Sequence, residues 1–75
     1  MLNEDIKAIE EAIELERESG CILYDLDDYE GDLITMAEDL GIETVENEDG
    51  HTVIKTEKDR KRVEEAYDYY LKNRI

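Results

Sequence analysis

The carboxylates between residues 25 and 32 offer the most evident chemistry in this chain. They are Asp25, Asp27, Asp28, Glu30 and Asp32. Carboxylate oxygens bind hard cations, but a calcium-binding EF-hand loop beginning at Asp25 would need Gly at position 30 and Glu at position 36. The sequence has Glu30 and Met36 there. We therefore predict no specific metal site in this segment.

Residues 22–29 read Ile-Leu-Tyr-Asp-Leu-Asp-Asp-Tyr. This run resembles the first motif of haloacid-dehalogenase-type phosphotransferases, an apolar strand followed by Asp-x-Asp-x-Thr or Val. The resemblance implies that Asp25 attacks phosphorus and that Asp27 acts as acid and base, with Mg²⁺ between them. Tyr29 departs from the motif, and 75 residues cannot supply the family's large parallel sheet and later motifs. We therefore predict a protein that is not an enzyme, with the phosphotransferase as an alternative.

Cys21 and His51 are the single cysteine and the single histidine of the chain. One cysteine cannot form an internal disulfide, which favours a reducing compartment and a cytoplasmic location. No second Cys or His stands at zinc-ligand spacing. We expect Cys21 to be a buried apolar side chain, His51 to be exposed beside a turn, and no metal or cofactor to be bound.

The net charge is −14, from 23 acidic and 9 basic residues. It is distributed unevenly: residues 1–50 hold 18 acids and 2 bases, a net −16, whereas residues 51–75 hold 5 acids and 7 bases, a net +2. Nucleic acids and anionic membranes require a basic surface, so this composition excludes both as direct partners. The bases of the last segment are expected to pair with the acidic part.

The amount of charge is comparable with that of DNA. A domain of 75 residues is roughly 29 Å across, and a duplex of that length carries about 17 charges. In size, composition and charge layout the chain resembles the small acidic DNA-mimic inhibitor proteins of phages and mobile elements. These proteins occupy the basic groove of a nucleic-acid-binding protein, and they share no fold or motif. The resemblance implies a competitive, electrostatic mechanism.

We predict that a basic nucleic-acid-binding protein or nucleic-acid enzyme is bound and inhibited by acidic residues of the first 50 positions. These are Glu10, Glu11, Glu14, Glu18, Asp27, Asp28, Glu30, Asp32, Glu46, Glu48 and Asp49. The alternative is a structural or regulatory interaction module in which the acids provide solubility. In that case Tyr67, Tyr69 and Tyr70 could support a homodimer, since surface tyrosines suit interfaces.

Apolar periodicity predicts the elements that position these residues, in the order α-β-α-β-β-α within one α+β domain spanning residues 1–75. The spacing of Leu2, Ile6, Ile9 and Ile13 indicates a first helix from about Asn3 to Ser19, capped by Asn3. At about 100° per residue, five of its carboxylates fall within about 120° opposite the apolar stripe. They are Glu4, Glu10, Glu11, Glu14 and Glu18, with Lys7 among them.

Turn and capping residues predict the remaining elements. The apolar run 21–24 indicates a buried strand, followed by a helix capped by Asp27 or Asp28 and ended by Gly41. Period-two alternation over 42–55, with a turn at 47–50, indicates a β-hairpin. Thr56 begins a last helix to Asn73, with its core-facing stripe formed by Val63, Ala66, Tyr67, Tyr70 and Leu71.

Overall fold

A computed structural model describes residues 2–74 of the chain. It confirms the α+β class, but the element order is α-α-β-β-α, with two strands where three were predicted. The elements are α1 (Asn3–Ser19), α2 (Tyr29–Asp39), β1 (Thr44–Glu46), β2 (Thr52–Ile54) and α3 (Glu57–Asn73).

Local capping chemistry explains where the helices begin and end. The Asp28 side chain accepts from Gly31 N, and the Thr56 hydroxyl accepts from Asp59 N, as expected of N-caps. The absence of a side chain at Gly31 makes room for this cap, because a Cβ at this position would overlap the Asp28 carboxylate. Gly20 ends α1 in the left-handed conformation, with φ 73°. The prediction for Asn3 was wrong: it is the first helical residue, and Leu2 caps α1 without a side-chain bond.

The predicted hairpin is confirmed, with shorter strands. β1 and β2 pair antiparallel in the register Thr44 to Ile54, Val45 to Val53 and Glu46 to Thr52. In the turn, the Asn47 side chain accepts from the backbone N of Asp49 and of His51. The hairpin packs on α2 and α3, so its position is fixed by Ile54, which enters the core.

α3 is the central element, since α1, α2 and β2 all pack against it. Four residues of its predicted stripe are at most 3% exposed: Val63, Ala66, Tyr67 and Tyr70. The prediction was wrong for the fifth, Leu71, which is 38% exposed. α1 contributes Ile9 and Ile13, and α2 contributes Leu33, Met36 and Ala37. Within residues 2–74, α1 packs directly on neither α2 nor the hairpin. α3 therefore joins α1 to the rest of the described fold, while the hairpin packs on α2 as well.

The strand predicted at residues 21–24 does not form. Tyr24 is buried, but Cys21, Ile22 and Leu23 are exposed, so the expected burial of Cys21 was also wrong. The backbone N–H of Leu23 is bound by the Glu16 carboxylate at 2.9 Å. A strand needs backbone partners on a neighbouring strand, and here a side chain of α1 takes that place.

Asp32 of α2 completes the anchoring of this irregular segment. Its carboxylate accepts from Asp25 N at 3.0 Å and from Leu26 N at 2.9 Å. Leu26 has a φ of 68°, the left-handed region that a branched side chain rarely adopts. Asp32 is 3% exposed and Glu16 is 9% exposed, so one buried carboxylate binds the segment predicted as a strand and the other binds the two residues that follow it.

Each buried tyrosine hydroxyl donates to a carboxylate. Tyr24 donates to Asp39 at 2.9 Å, Tyr67 donates to Asp32, and Tyr70 donates to Glu16. The rings also pack edge to face or stacked, with 4.8 Å between the Tyr24 and Tyr70 centroids. This arrangement accounts for a core with tyrosine and no phenylalanine, because each hydroxyl has a carboxylate acceptor, which is buried for Tyr67 and Tyr70 and exposed for Tyr24.

We expect the domain to unfold in alkali through these tyrosines. Burial and the neighbouring carboxylates raise the pKa of Tyr24 and Tyr67, and burial raises the pKa of Tyr70 to about 12. Raised folded-state values mean that this stabilisation is complete below the unfolded tyrosine pKa of about 10 and is lost as the pH rises through the folded values. Tyrosinate absorbance and circular dichroism should therefore change together above pH ~10.

The control for this titration is Tyr69→Phe, because Tyr69 is half-buried and lies outside the cluster of ring contacts. It should leave the alkaline midpoint in place. Ionisation of all five tyrosines near pH ~10, with the circular dichroism unchanged, would contradict the expectation.

Candidate functional site

The outer face of α1 is a row of exposed carboxylates. Ile9 and Ile13 bury the opposite side of the helix against α3, so the arc predicted from the sequence faces solvent. We call its four C-terminal members, Glu10, Glu11, Glu14 and Glu18, the α1 acidic face, and all four are exposed. Within residues 2–74 none of them forms an ion pair. Lys7 and Arg17, both within the described part of the chain, lie beside these glutamates without forming an ion pair to them, so the face keeps a net negative charge.

The cations of α3 neutralise other acids. Arg60 binds Glu30 through two hydrogen bonds of 3.0 and 2.7 Å, and Arg62 binds Asp5 through two of 2.7 and 2.8 Å. These pairs confirm the expected contact between the basic segment and the acidic one. The Arg60 guanidinium lowers the pKa of the Glu30 carboxyl, which therefore stays ionised within its pair.

The carboxylates predicted at residues 27–32 have several different environments. Asp27 and Asp28 are exposed, and Asp28 is committed to capping α2. Glu30 is exposed but paired with Arg60. Asp32 was predicted to contact a partner, and its burial corrects that prediction: at 3% exposure it acts as an internal acceptor. In the sequence all four are acidic residues of one short segment, and only their burial and contacts in the structure distinguish them.

The hairpin acids Glu46, Glu48 and Asp49 are exposed. They do not lie beside the α1 acidic face, because the hairpin packs on α2 and α3 and is not in contact with α1. The described residues measure 39 × 25 × 17 Å, and a duplex 39 Å long carries about 23 charges. Spread over 39 Å and not over about 29 Å, the net charge of −14 gives fewer charges per unit length, further below the value for duplex DNA.

The α1 acidic face by itself comes closer to a nucleic-acid strand. Glu10 and Glu18 are eight residues apart, about 12 Å along the helix axis. Four carboxylates over that length give one charge per about 4 Å, against one per ~3.4 Å along each strand of a duplex. Two cations of α1 border this face: Lys7, one turn before Glu11, and Arg17, which lies beside Glu10 and Glu14 and donates to the Asn73 carbonyl at 3.4 Å. The face matches the charge spacing of one strand over about two turns of helix.

The predicted self-association surface is largely internal. Tyr67 and Tyr70 are 3% and 0% exposed, and their hydroxyls are bound by buried carboxylates. That part of the prediction is corrected, because neither ring can reach a second copy. Tyr69 is half-buried and packs at the edge of the core.

The other candidate chemistry has little geometric support. Asp25 and Asp27 follow an irregular segment, so the strand on which the phosphotransferase motif depends is not formed. Among residues 2–74, no group of three or more His, Cys, Asp or Glu side chains is arranged to hold a metal ion. His51 is exposed next to the hairpin turn, as predicted.

An apolar groove between α1 and α2 was not predicted. Because both helices pack on α3 and not on each other, a space of about 530 Å³ stays open between them. α1 lines it with Ala8, Ala12 and Leu15, the 21–28 segment with Leu23, and α2 with Met36 and Leu40. The available signal was Leu15, an apolar residue outside the core stripe, which is 53% exposed.

Comparisons with known proteins identify no relative of this chain. No protein-family model, curated protein or solved structure matches the chain. Across residues 2–74, every helix is too short or too polar to cross a bilayer. The functional argument therefore rests on the residues of this chain.

Proposed function

We propose that this chain is a non-catalytic binding protein that occupies the basic surface of a nucleic-acid-binding protein or nucleic-acid enzyme and so inhibits it. The observation that carries the proposal is the α1 acidic face: four exposed carboxylates on one helical arc, without a cation partner in residues 2–74. Their spacing is close to that of phosphates along one strand. A basic groove that binds nucleic acid can bind such a face through the same cations.

The rigidity of α1 supports this function. The helix is held to α3 by Ile9 and Ile13 and by the Arg62 to Asp5 pair, so the backbone positions that carry its carboxylates are fixed. Electrostatic complementarity of this kind acts mainly on the association rate and weakens as salt rises. The competitor for the partner is nucleic acid itself, which makes the mechanism directly testable.

The experiment compares two triple variants of equal net charge, −11, in a pull-down from the source cell. One changes the α1 acidic face (Glu11→Gln, Glu14→Gln, Glu18→Gln), and its matched control changes the hairpin turn (Glu46→Gln, Glu48→Gln, Asp49→Asn). We expect the wild-type chain to retain a basic nucleic-acid-binding protein at low salt and to release it when duplex DNA is added. The helix variant should bind about tenfold more weakly, and the control should bind nearly as well as wild type.

Two results would contradict the proposal. Equal loss in both variants would mean that overall charge, and not the α1 acidic face, holds the partner. Retention that neither high salt nor DNA reverses would mean that the partner uses a different surface.

A further inference from the structure

The groove between α1 and α2 is a second surface, which shares only Glu11 with the α1 acidic face. Its floor is formed by buried core side chains, Ile9 at 3%, Tyr24 at 6% and Met36 at 1% exposure. Its walls carry Leu15 at 53% and Leu23 at 39% exposure. A chain with this high a charged fraction has little apolar surface to spare, and large apolar side chains left together in a concave site mark a docking surface.

The shape of the groove favours a helix as its occupant. Along α1, its lining extends from Ala8 to Leu15, about 10 Å, or two turns. Ala8 and Ala12 are one turn apart and small, so they leave room for side chains of an added helix to pack between ridges. α1 and α2 already pack on α3. A further helix in the groove would contact both of them and would close the layer.

The charge around the groove selects the partner's chemistry. Its two ionisable wall residues are Glu11 of α1 and Asp39 of α2, and none of its lining residues is Lys or Arg. The carboxylates of the α1 acidic face continue from Glu11 along the same helix. A second copy of this chain would bring another net charge of −14 to this rim, which repulsion opposes. A helix with Lys or Arg beside its apolar stripe is complementary.

We propose that the groove binds one basic amphipathic helix of the partner protein, with apolar side chains against Leu15, Leu23 and Met36 and cations against Glu11 and Asp39. The inference rests on the proposed function for the basic character of the partner. Beyond the proposed function, it specifies that the bound segment of the partner is helical and that apolar contacts contribute to the affinity. Helix-in-groove recognition of this kind takes its specificity from apolar anchors at positions i, i+3 or i+4, and i+7.

The experiment uses three synthetic peptides of about 14 residues, enough for four helical turns. The first has Leu at helical spacing with Lys elsewhere, the second has the same composition in an order without a stripe, and the third is oligolysine. Calorimetry measures affinity, and amide NMR shifts locate the site. We expect the first peptide to bind one to one, about tenfold more tightly than the second, with shifts along the groove lining.

Substitutions on exposed positions keep the fold while testing the groove. Leu15→Ser and Leu23→Ser should each weaken the striped peptide about tenfold, because each removes an apolar contact. The matched control is Ile22→Ser, which removes an exposed apolar residue that neighbours Leu23 but does not line the groove. Its affinity should equal that of wild type.

The outcomes separate this inference from the proposed function. The groove would not be the binding site if the striped and rearranged peptides bound with equal affinity. The same would follow if Ile22→Ser lost as much affinity as Leu15→Ser and Leu23→Ser. Oligolysine binding that the α1 triple variant weakens would still support the acidic face. If neither added salt nor the α1 triple variant changed the affinity for the striped peptide, the proposed role of the α1 acidic face and the basic character of the partner would both be wrong. A dimer in sedimentation that Leu15→Ser dissociates would overturn the inference, because the occupant would then be a second copy.

Discussion

Replacing Asp32 with Asn should lower the free energy of unfolding by about 2–3 kcal/mol. The Asp32 carboxylate accepts three hydrogen bonds, from the backbone N–H groups of Asp25 and Leu26 and from the Tyr67 hydroxyl. An amide of the same shape turns one acceptor oxygen into an N–H₂ donor, so at least one buried donor then meets another donor. In a domain of this size the melting temperature should fall by roughly 10–20 °C.

The effect of Asp32→Asn should be concentrated in the loop that the carboxylate anchors. Amide hydrogen exchange of Asp25 and Leu26 should accelerate, since their bonds are lost directly and Leu26 is held at a positive φ. The matched control is Asp27→Asn, which makes the same chemical change on an exposed side chain of the same loop. It should shift stability by less than about 0.5 kcal/mol. Similar losses in the two variants would show that Asp32 is not the anchor.

Replacing Arg62 with Met should cost about 3 kcal/mol at pH 7, because it leaves the Asp5 carboxylate buried without its cation. Asp5 is 1% exposed and is bound by two nitrogens of Arg62 at 2.7 and 2.8 Å. The methylene part of the side chain is retained in Met, so the lost term is chiefly electrostatic. Denaturant unfolding at pH 7 measures the difference. Lys61→Met removes an exposed cation of the same helix and should be nearly neutral.

The same pair sets the expected response to acid. The Arg62 guanidinium lowers the pKa of the Asp5 carboxyl below its usual range. A lowered folded-state pKa means that the stabilisation is present above the unfolded value, about 3.9, and is lost as the pH falls through the folded value. In Arg62→Met the carboxyl can take up a proton at a higher pH, so the deficit relative to wild type should shrink below pH ~4. A deficit that is constant with pH would indicate lost packing and not a lost ion pair.

The sequence predicted the parts of the fold that depend on local chemistry. The bounds of α1 and α3, the caps at Asp28 and Thr56 and the hairpin turn all follow from residue types within a few positions of each other. The solvent-facing arc of α1 followed from periodicity alone, because the positions opposite a core stripe must be exposed. These features require no knowledge of what packs against what.

The sequence mispredicted residues whose role depends on distant partners. Residues 21–24 have strand composition, yet Glu16 binds the backbone N–H of Leu23, and Asp32 binds the two N–H groups that follow the segment, at residues 25 and 26. No local pattern marks a glutamate or aspartate as an internal acceptor. Asp32 was assigned to the partner surface for the same reason. Tyr67 and Tyr70 were assigned both to the core stripe and to a dimer surface, and their burial leaves only the first role.

The sequence by itself determined the charge, its concentration in the first 50 residues, and the carboxylate arc of α1, since counting and helical period suffice for all three. Tertiary structure alone decided which carboxylates remain available. It buries Asp5, Glu16 and Asp32 and pairs Glu30 with Arg60, while the α1 acidic face remains exposed and unpaired within residues 2–74. It also opens the groove, because α1 and α2 pack on α3 and not on each other. The physical reason is that the number and spacing of ionisable side chains are properties of the sequence, whereas their burial and pairing depend on neighbours in space.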